Sequence, residues 1–187
     1  MKIGSLGFIV LVGGLLLNCS SIKVTSDSEK TTDFSQYKTY SFLGWQNDSD
    51  KIMNDFDKKR MHDAFKSEFQ SRNLKFVEKG GDMSISLFIV INKETSVTAY
   101  TNYYGGGGYG RYRRYGGGWG GSTSTSYSEN DYLKGTLVMD AFDEQSGEQI
   151  WQGVAAGTVQ EKPEKREKSI PKTVAALMKK FPVAVPK

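Results

Sequence analysis

Cysteine and histidine are almost missing from this chain, with one of each, Cys19 and His62, in 187 residues. A lone cysteine excludes an internal disulfide, a thiolate zinc cluster and a Cys-x-x-Cys redox pair. A lone histidine leaves no multi-histidine metal site, and nothing marks it as the base of a nucleophile-base arrangement. No cofactor or metal is expected. Charge of one sign is not in excess either: 25 Lys plus Arg face 21 Asp plus Glu, a formal net charge of +4. That is too mild to argue for nucleic acid from net charge alone. A hydrophobic run of about 20 residues, the length needed to cross a bilayer, is also lacking. Glycine is the exception, with 21 residues, above the usual share of roughly 7%.

Residues 1–18 read MKIGSLGFIVLVGGLLLN, one positive charge followed by an uncharged apolar stretch from Leu6 to Leu17. This is the plan of a secretory signal peptide. The only cysteine stands where that stretch ends, in Leu16-Leu17-Asn18-Cys19-Ser20-Ser21. The arrangement resembles the bacterial lipobox, in which the cysteine is linked to diacylglycerol, freed by cleavage and then N-acylated, with palmitate the expected chain. Asn18 departs from the usual Gly, Ala or Ser. No core surrounds Cys19 in sequence, because the next segment is polar and Ser/Thr-rich. Residues 19–33 read as a lipidated tether, within which Ile22 to Thr25 form a candidate opening strand. Two or three acyl chains anchor stably where one binds only marginally. With no Asp after the cysteine, sorting by analogy is to the outer membrane of a Gram-negative envelope, facing the periplasm.

Beyond the tether the periodicities place elements. Tyr37 to Phe42 alternates aromatic and polar side chains, a half-buried strand. Residues 51–73 predict a helix whose apolar stripe is Ile52, Phe56, Met61, Ala64, Phe65 and Phe69, with His62 beside it as a boundary residue. Residues 82–94 predict a β-branched strand. Residues 135–142 and 148–159 predict a hairpin about Ser146-Gly147. On its second arm Trp151 shares a face with Gly153, Ala155, Gly157 and Val159, which points to close packing by a helix or, as the alternative, to a ligand groove. Residues 161–168 are a charge run with Glu-to-Lys pairs four apart, favourable in a helix. Ile170, Val174, Leu177, Met178 and Phe181 then supply an apolar stripe, and Pro171 requires the helix to kink near Ser169 or to begin there.

Residues 105–121, GGGGYGRYRRYGGGWGG, hold ten glycines. Gly105, Gly107 and Gly110 satisfy G-x-G-x-x-G, but no helix can begin in the glycine-rich residues after them, so the dinucleotide context is absent. Arg alternating with rings suits single-stranded nucleic acid, a partner an exported protein does not meet, and no nucleic acid is expected. Tyr109, Arg111, Tyr112, Arg113, Arg114, Tyr115 and Trp119 instead form a candidate interaction loop for an envelope protein, a glycan or a lipid headgroup. The plainer alternative is a connection between a strand ending near Tyr100 and one starting near Ser122. Among carboxylates, Asp140, Asp143 and Glu144 form the best cluster. They give the enzymatic alternative, a hydrolase of an envelope polymer working near Asp140.

Several stretches resemble the bacterial lipoproteins that carry the domain of unknown function numbered 4136: Asp33 to Phe42, Gly135 to Asp143, Ile150 to Gly153 and the Lys-rich ending through Pro182. The resemblance covers residues 22–183 and implies a periplasmic or outer-membrane lipoprotein domain without assigned activity or catalytic residues. The expected architecture is α+β, a mainly antiparallel sheet of about five strands with two helices packed on one face and a long Gly-rich loop between two strands. The expected role is that of a non-enzymatic binding or structural module.

Overall fold

The computed structural model describes residues 22–103 and 123–186. Six strands, β1 (Lys23–Ser28), β2 (Thr39–Trp45), β3 (Lys75–Phe76), β4 (Met83–Tyr103), β5 (Thr123–Asp143) and β6 (Gln149–Thr158), join two helices, α1 (Asp55–Gln70) and α2 (Pro163–Met178). They form one sheet in the order β1-β6-β5-β4-β2-β3.

The α+β class is as expected, but the sheet has six strands and is mixed. β1, β6, β5 and β4 pair antiparallel, whereas β2 pairs parallel with both β3 and β4. Parallel neighbours require a long crossover, and α1 supplies it between β2 and the β3–β4 side. Alternation identifies a strand without giving its direction, so this half of the topology is not legible in the pattern. The opening strand extends to Ser28, placing six residues of the expected tether, Lys23 to Ser28, within the sheet.

The helices cover one sheet face. Tyr40, Met83, Ile85, Leu87, Leu137, Met139, Ala141, Trp151 and Ala155 meet Met61, Phe65 and Phe69 of α1 and Val174, Leu177 and Met178 of α2, all buried. Tyr40 stacks on Phe69 with ring centroids 4.2 Å apart, and burial pushes its phenol pKa up to about 12.

α1 begins later than the periodicity suggests. The Asn54 side chain accepts a hydrogen bond from the Asp57 backbone N–H at 2.9 Å and caps the helix. Ile52 therefore falls in the preceding 3-10 segment, and both Ile52 (51% exposed) and Phe56 (75%) leave the apolar stripe. The buried stripe runs through Asp57, Met61, Phe65 and Phe69 at steps of four. Asp57 takes the position because its charge is matched: Arg60 Nη1 and Arg166 Nε donate to it at 2.6 and 2.7 Å. Arg166 lies on α2, so the pair ties the start of one helix to the start of the other.

α2 runs unbroken from Pro163, which sits in the first turn where a missing N–H costs nothing. Pro171 lies inside the helix on its exposed side, so α2 does not begin near Ser169 but continues through the proline. After α2, Phe181 turns back into the core and Arg72 Nη2 donates to the Met178 carbonyl at 2.8 Å, closing the helix end.

The cluster of small residues on β6 is explained by packing. Trp151 is buried against Phe181, 5.1 Å away and edge-on. Its ring lies over Gly153, where a Cβ would also come 2.7 Å from Leu177 Cδ1. The alternative of a ligand groove beside Trp151 is overturned: the space is filled by the indole and by α2.

Candidate functional site

β4 and β5 are each 21 residues long and stay in unbroken antiparallel register from Met83↔Asp143 to Tyr103↔Thr123. Their neighbours stop far short of that. β2 leaves β4 at Trp45↔Leu87, and β6 leaves β5 at Lys134↔Thr158. After the Val159 backbone N–H donates to the Leu133 carbonyl, no third strand lies beside the pair among the described residues; from Glu94↔Tyr132 outward it is a two-stranded arm, roughly 31 Å long at about 3.4 Å per residue. The strand whose alternation covers 82–94 continues to Tyr103, in line with the expected end near Tyr100, and its outer part is held by pairing rather than by burial.

Charged and polar ties fasten the base of this arm. Lys93 Nζ lies 2.6 Å from Asp131 Oδ2, and Thr95 Oγ1 donates to Asp131 Oδ1 at 2.7 Å. These contacts, Lys93 first, hold the Asp131 carboxyl below its ordinary range. On the opposite face Lys134 Nζ and Tyr132 Oη donate to Glu94 at 2.9 and 2.8 Å. They lower its pKa in that order. Such exposed pairs are screened by solvent and add little stability; their role is to fix register. Further out, Val97 is 59% exposed and the described side chains meet no core.

The candidate loop residues Tyr109, Arg111, Tyr112, Arg113, Arg114, Tyr115 and Trp119, and the candidate lipid site Cys19, lie outside the described residues. What the structure contributes is the setting: the segment bearing the seven loop residues connects the two paired ends of the arm, Tyr103 and Thr123.

The structure divides the carboxylate cluster of the enzymatic alternative, with Asp140 outside the depression that Asp143 and Glu144 line. Asp140 accepts hydrogen bonds from Gln149 and Gln152 Nε2 at 2.8 and 2.7 Å. Asp143 instead joins Asp82 and Glu144 around a shallow depression of about 300 Å³ also lined by Tyr37 and Gly81. The backbone N–H of Ser146 holds the Asp143 carboxyl low, helped by the Tyr37 hydroxyl at 3.1 Å. Backbone N–H groups of Lys38 and Thr39, each 2.8 Å away, do the same for Asp82. Ser84 donates to Glu144. A general acid needs a carboxyl pKa raised toward neutrality, and both resolved shifts run the other way. Sequence spacing does not mark Asp82 and Tyr37 as members of this corner: Asp82 reaches Asp143 through the antiparallel β4–β5 pairing that sets Met83 opposite Asp143, and Tyr37 through the parallel placement of β2 beside β4. His62 is exposed, its ring 5.5 Å from Phe42 and its Nδ1 3.8 Å from Asp63. Among the described residues no group of three or more His, Cys, Asp or Glu is arranged to hold a metal ion.

These features define a class: a small α+β domain with a one-sided helix layer and a long β-arm projecting from its sheet. The chain belongs to the family of the domain of unknown function DUF4136, whose sequence pattern it matches over residues 24–183. No curated protein matches it. Among solved structures, a PDZ domain protein from Parabacteroides distasonis ATCC 8503 is similar at TM-score 0.52 and 12% identity, over 87% of this chain. The match spans 36% of that longer protein. A PelC dodecamer from Paraburkholderia phytofirmans aligns at TM-score 0.44 and 8% identity, over 84% of this chain and 95% of that one. A minor lipoprotein from Acinetobacter baumannii aligns at TM-score 0.34 and 11% identity, over 78% and 89%.

Proposed function

We propose that this protein is a lipid-anchored component of the Gram-negative cell envelope. It is held through acylated Cys19 in the outer membrane facing the periplasm, and it acts as a binding or structural module rather than an enzyme. The observation that carries the binding role is the arm. A two-stranded ribbon outside any core is marginal by itself, so its length is better accounted for by delivering the segment at its tip than by folding. That segment offers tyrosines, a tryptophan and three arginines to an envelope protein, a glycan or a lipid headgroup. Membership of DUF4136 and the sequence around Cys19 support the anchor, and no helix among the described residues is long and apolar enough to cross a membrane.

Two experiments test this reading. Cells fed a clickable fatty acid are expected to label the wild-type protein and not a Cys19→Ala variant; label on the variant, or none on wild type, refutes the anchor. Cross-linked pulldown with the full chain and with a chain lacking residues 105–121 is expected to lose partners in the second; identical partners in both refute the loop as the binding element.

A further inference from the structure

The outer arm presents two free strand edges of an unusual kind. Residues 98–103 and the residues paired with them, 123–128, contain no charged residue, no proline and no glycine, and are rich in Thr, Ser and Tyr. Exposed edges are normally guarded against strand addition by charges, prolines or bulges. Here the charges Lys93, Glu94, Glu129, Asp131 and Lys134 are confined to the base, and β4–β5 pairing carries no register shift along its length. Neither the β4 edge beyond Leu87 nor the β5 edge beyond Leu133 has another strand beside it among the described residues. The outer arm is therefore open to strand addition on both sides.

The direction of the arm restricts what can pair with it. β1 begins at Lys23, opposite Ala156 of β6. Ala156 faces Thr136 on β5, and Thr136 faces Val90 on β4. The chain thus enters the sheet at the same end from which the arm departs. Three residues lie between Cys19 and Lys23, so the four Cα steps reach at most about 14 Å. Copies anchored through Cys19 are held with this end toward one membrane, so their arms leave the domain with a common sense.

We infer that the arm is a self-assembly element: the open β5 edge of one copy adds to the open β4 edge of the next, so that arms line up side by side as a continuous antiparallel sheet. β4 runs outward and β5 runs back, so neighbouring arms pointing the same way place β5 against β4 antiparallel, the relation they already have within one chain. The residue types on the two edges are therefore already matched to each other, and the uncharged outer arm sets no repulsion between copies. A single extended peptide fills one edge and leaves the other open, whereas a second copy satisfies one edge and offers another. The contact is head-to-tail, so it propagates into a ring or a row. The orientation argument rests on the lipid anchor proposed above; the edge argument does not.

The test uses full-length Ser96→Cys in membranes, treated with a bismaleimide of about 10 Å span. Equivalent residues on adjacent arms lie two strand spacings apart, about 9.6 Å. An acylated Cys19 has no free thiol, so the wild-type protein is the unlinked control. A ladder of dimers, trimers and higher products is expected from Ser96→Cys. The same protein carrying Thr98→Lys and Ser126→Lys is expected to lose that ladder while keeping its unfolding midpoint. Monomer alone from membrane-bound Ser96→Cys, products with a different polypeptide only, or a ladder that survives both lysines overturns the inference. If Ser96→Cys is recovered in the soluble fraction, the anchor has failed instead; the ladder is then read on the concentrated soluble protein, where its absence still overturns arm pairing.

Discussion

The indole of Trp151 occupies the space in which residue 153 would carry a side chain, and Gly153 is what lets the ring lie flush between β6 and α2. A Cβ at position 153 meets the ring and also approaches Leu177 Cδ1 to 2.7 Å. Both neighbours are fully packed, Leu177 and Trp151 each being buried. Gly153→Ala is therefore expected to destabilise the domain by about 1–3 kcal/mol, the usual range for forcing extra volume into a filled core. Urea unfolding of the two proteins checks it, and an unchanged midpoint contradicts the packing described.

Asp57 joins the two helices through Arg60 and Arg166. Removing a buried charge from a matched pair leaves its partners uncompensated, which costs about 3–5 kcal/mol for full burial. Both arginines retain some solvent, so Asp57→Asn is expected to cost about 2 kcal/mol, toward the lower side of what breaking such pairs does. A double-mutant cycle with Arg166→Gln measures the coupling; additive effects would show that the two side chains do not act as a pair.

Acid sensitivity arises from Asp82 and Asp143. Both carboxyls have lowered pKa values in the folded state, through backbone N–H donors from Lys38 and Ser146 respectively. A depressed folded pKa contributes stability that is present above the unfolded value of about 3.9 and is lost as pH falls through the folded one. The domain is expected to lose stability below about pH 4. Asp82→Asn is expected to flatten that decline while lowering stability at neutral pH. Unfolding midpoints across the acid range compare the slopes, and equal slopes exclude Asp82 as a contributor.

Pro171 cannot donate to the helix ladder of α2 and is exposed there. Interior proline costs about 3 kcal/mol in a helix, partly offset by the lower entropy of the unfolded chain. Pro171→Ala is expected to raise stability by about 1–2 kcal/mol. A raised thermal midpoint is the readout; a lowered one would mean that the proline shapes the packing of Val174 and Leu177.

How far the fold is legible in the sequence varies with the physics behind each element. Met61, Phe65 and Phe69 repeat at helical spacing and are buried as that spacing requires. Trp151 among small residues announces a closely packed helix, and α2 is there. Phe56 misleads, because an apolar side chain next to the helix cap is one step round from the buried stripe that Asp57 occupies. The arm beyond Glu94 is legible only through its two ends, expected near Tyr100 and Ser122 and found at Tyr103 and Thr123, because alternation reports a face turned toward a core and the arm has none. Its residues are ordered by cross-strand pairing with partners twenty or more positions away, as with Ser96 and Asn130.

The sequence by itself determined what local chemistry determines: one cysteine placed after an apolar leader, a glycine-rich segment with alternating rings and arginines, the two helices and the α+β class. Only the tertiary structure decided that β2 lies parallel to β4, that Asp57 finds Arg166, and that Asp82 and Tyr37 share a corner with Asp143. It alone decided that the glycine-rich segment rides on an arm that leaves the sheet where the chain enters it. Periodicity and motif are properties of neighbouring residues, whereas strand direction, ion pairing across helices and the end from which an arm projects depend on how distant segments pack. No local pattern encodes those.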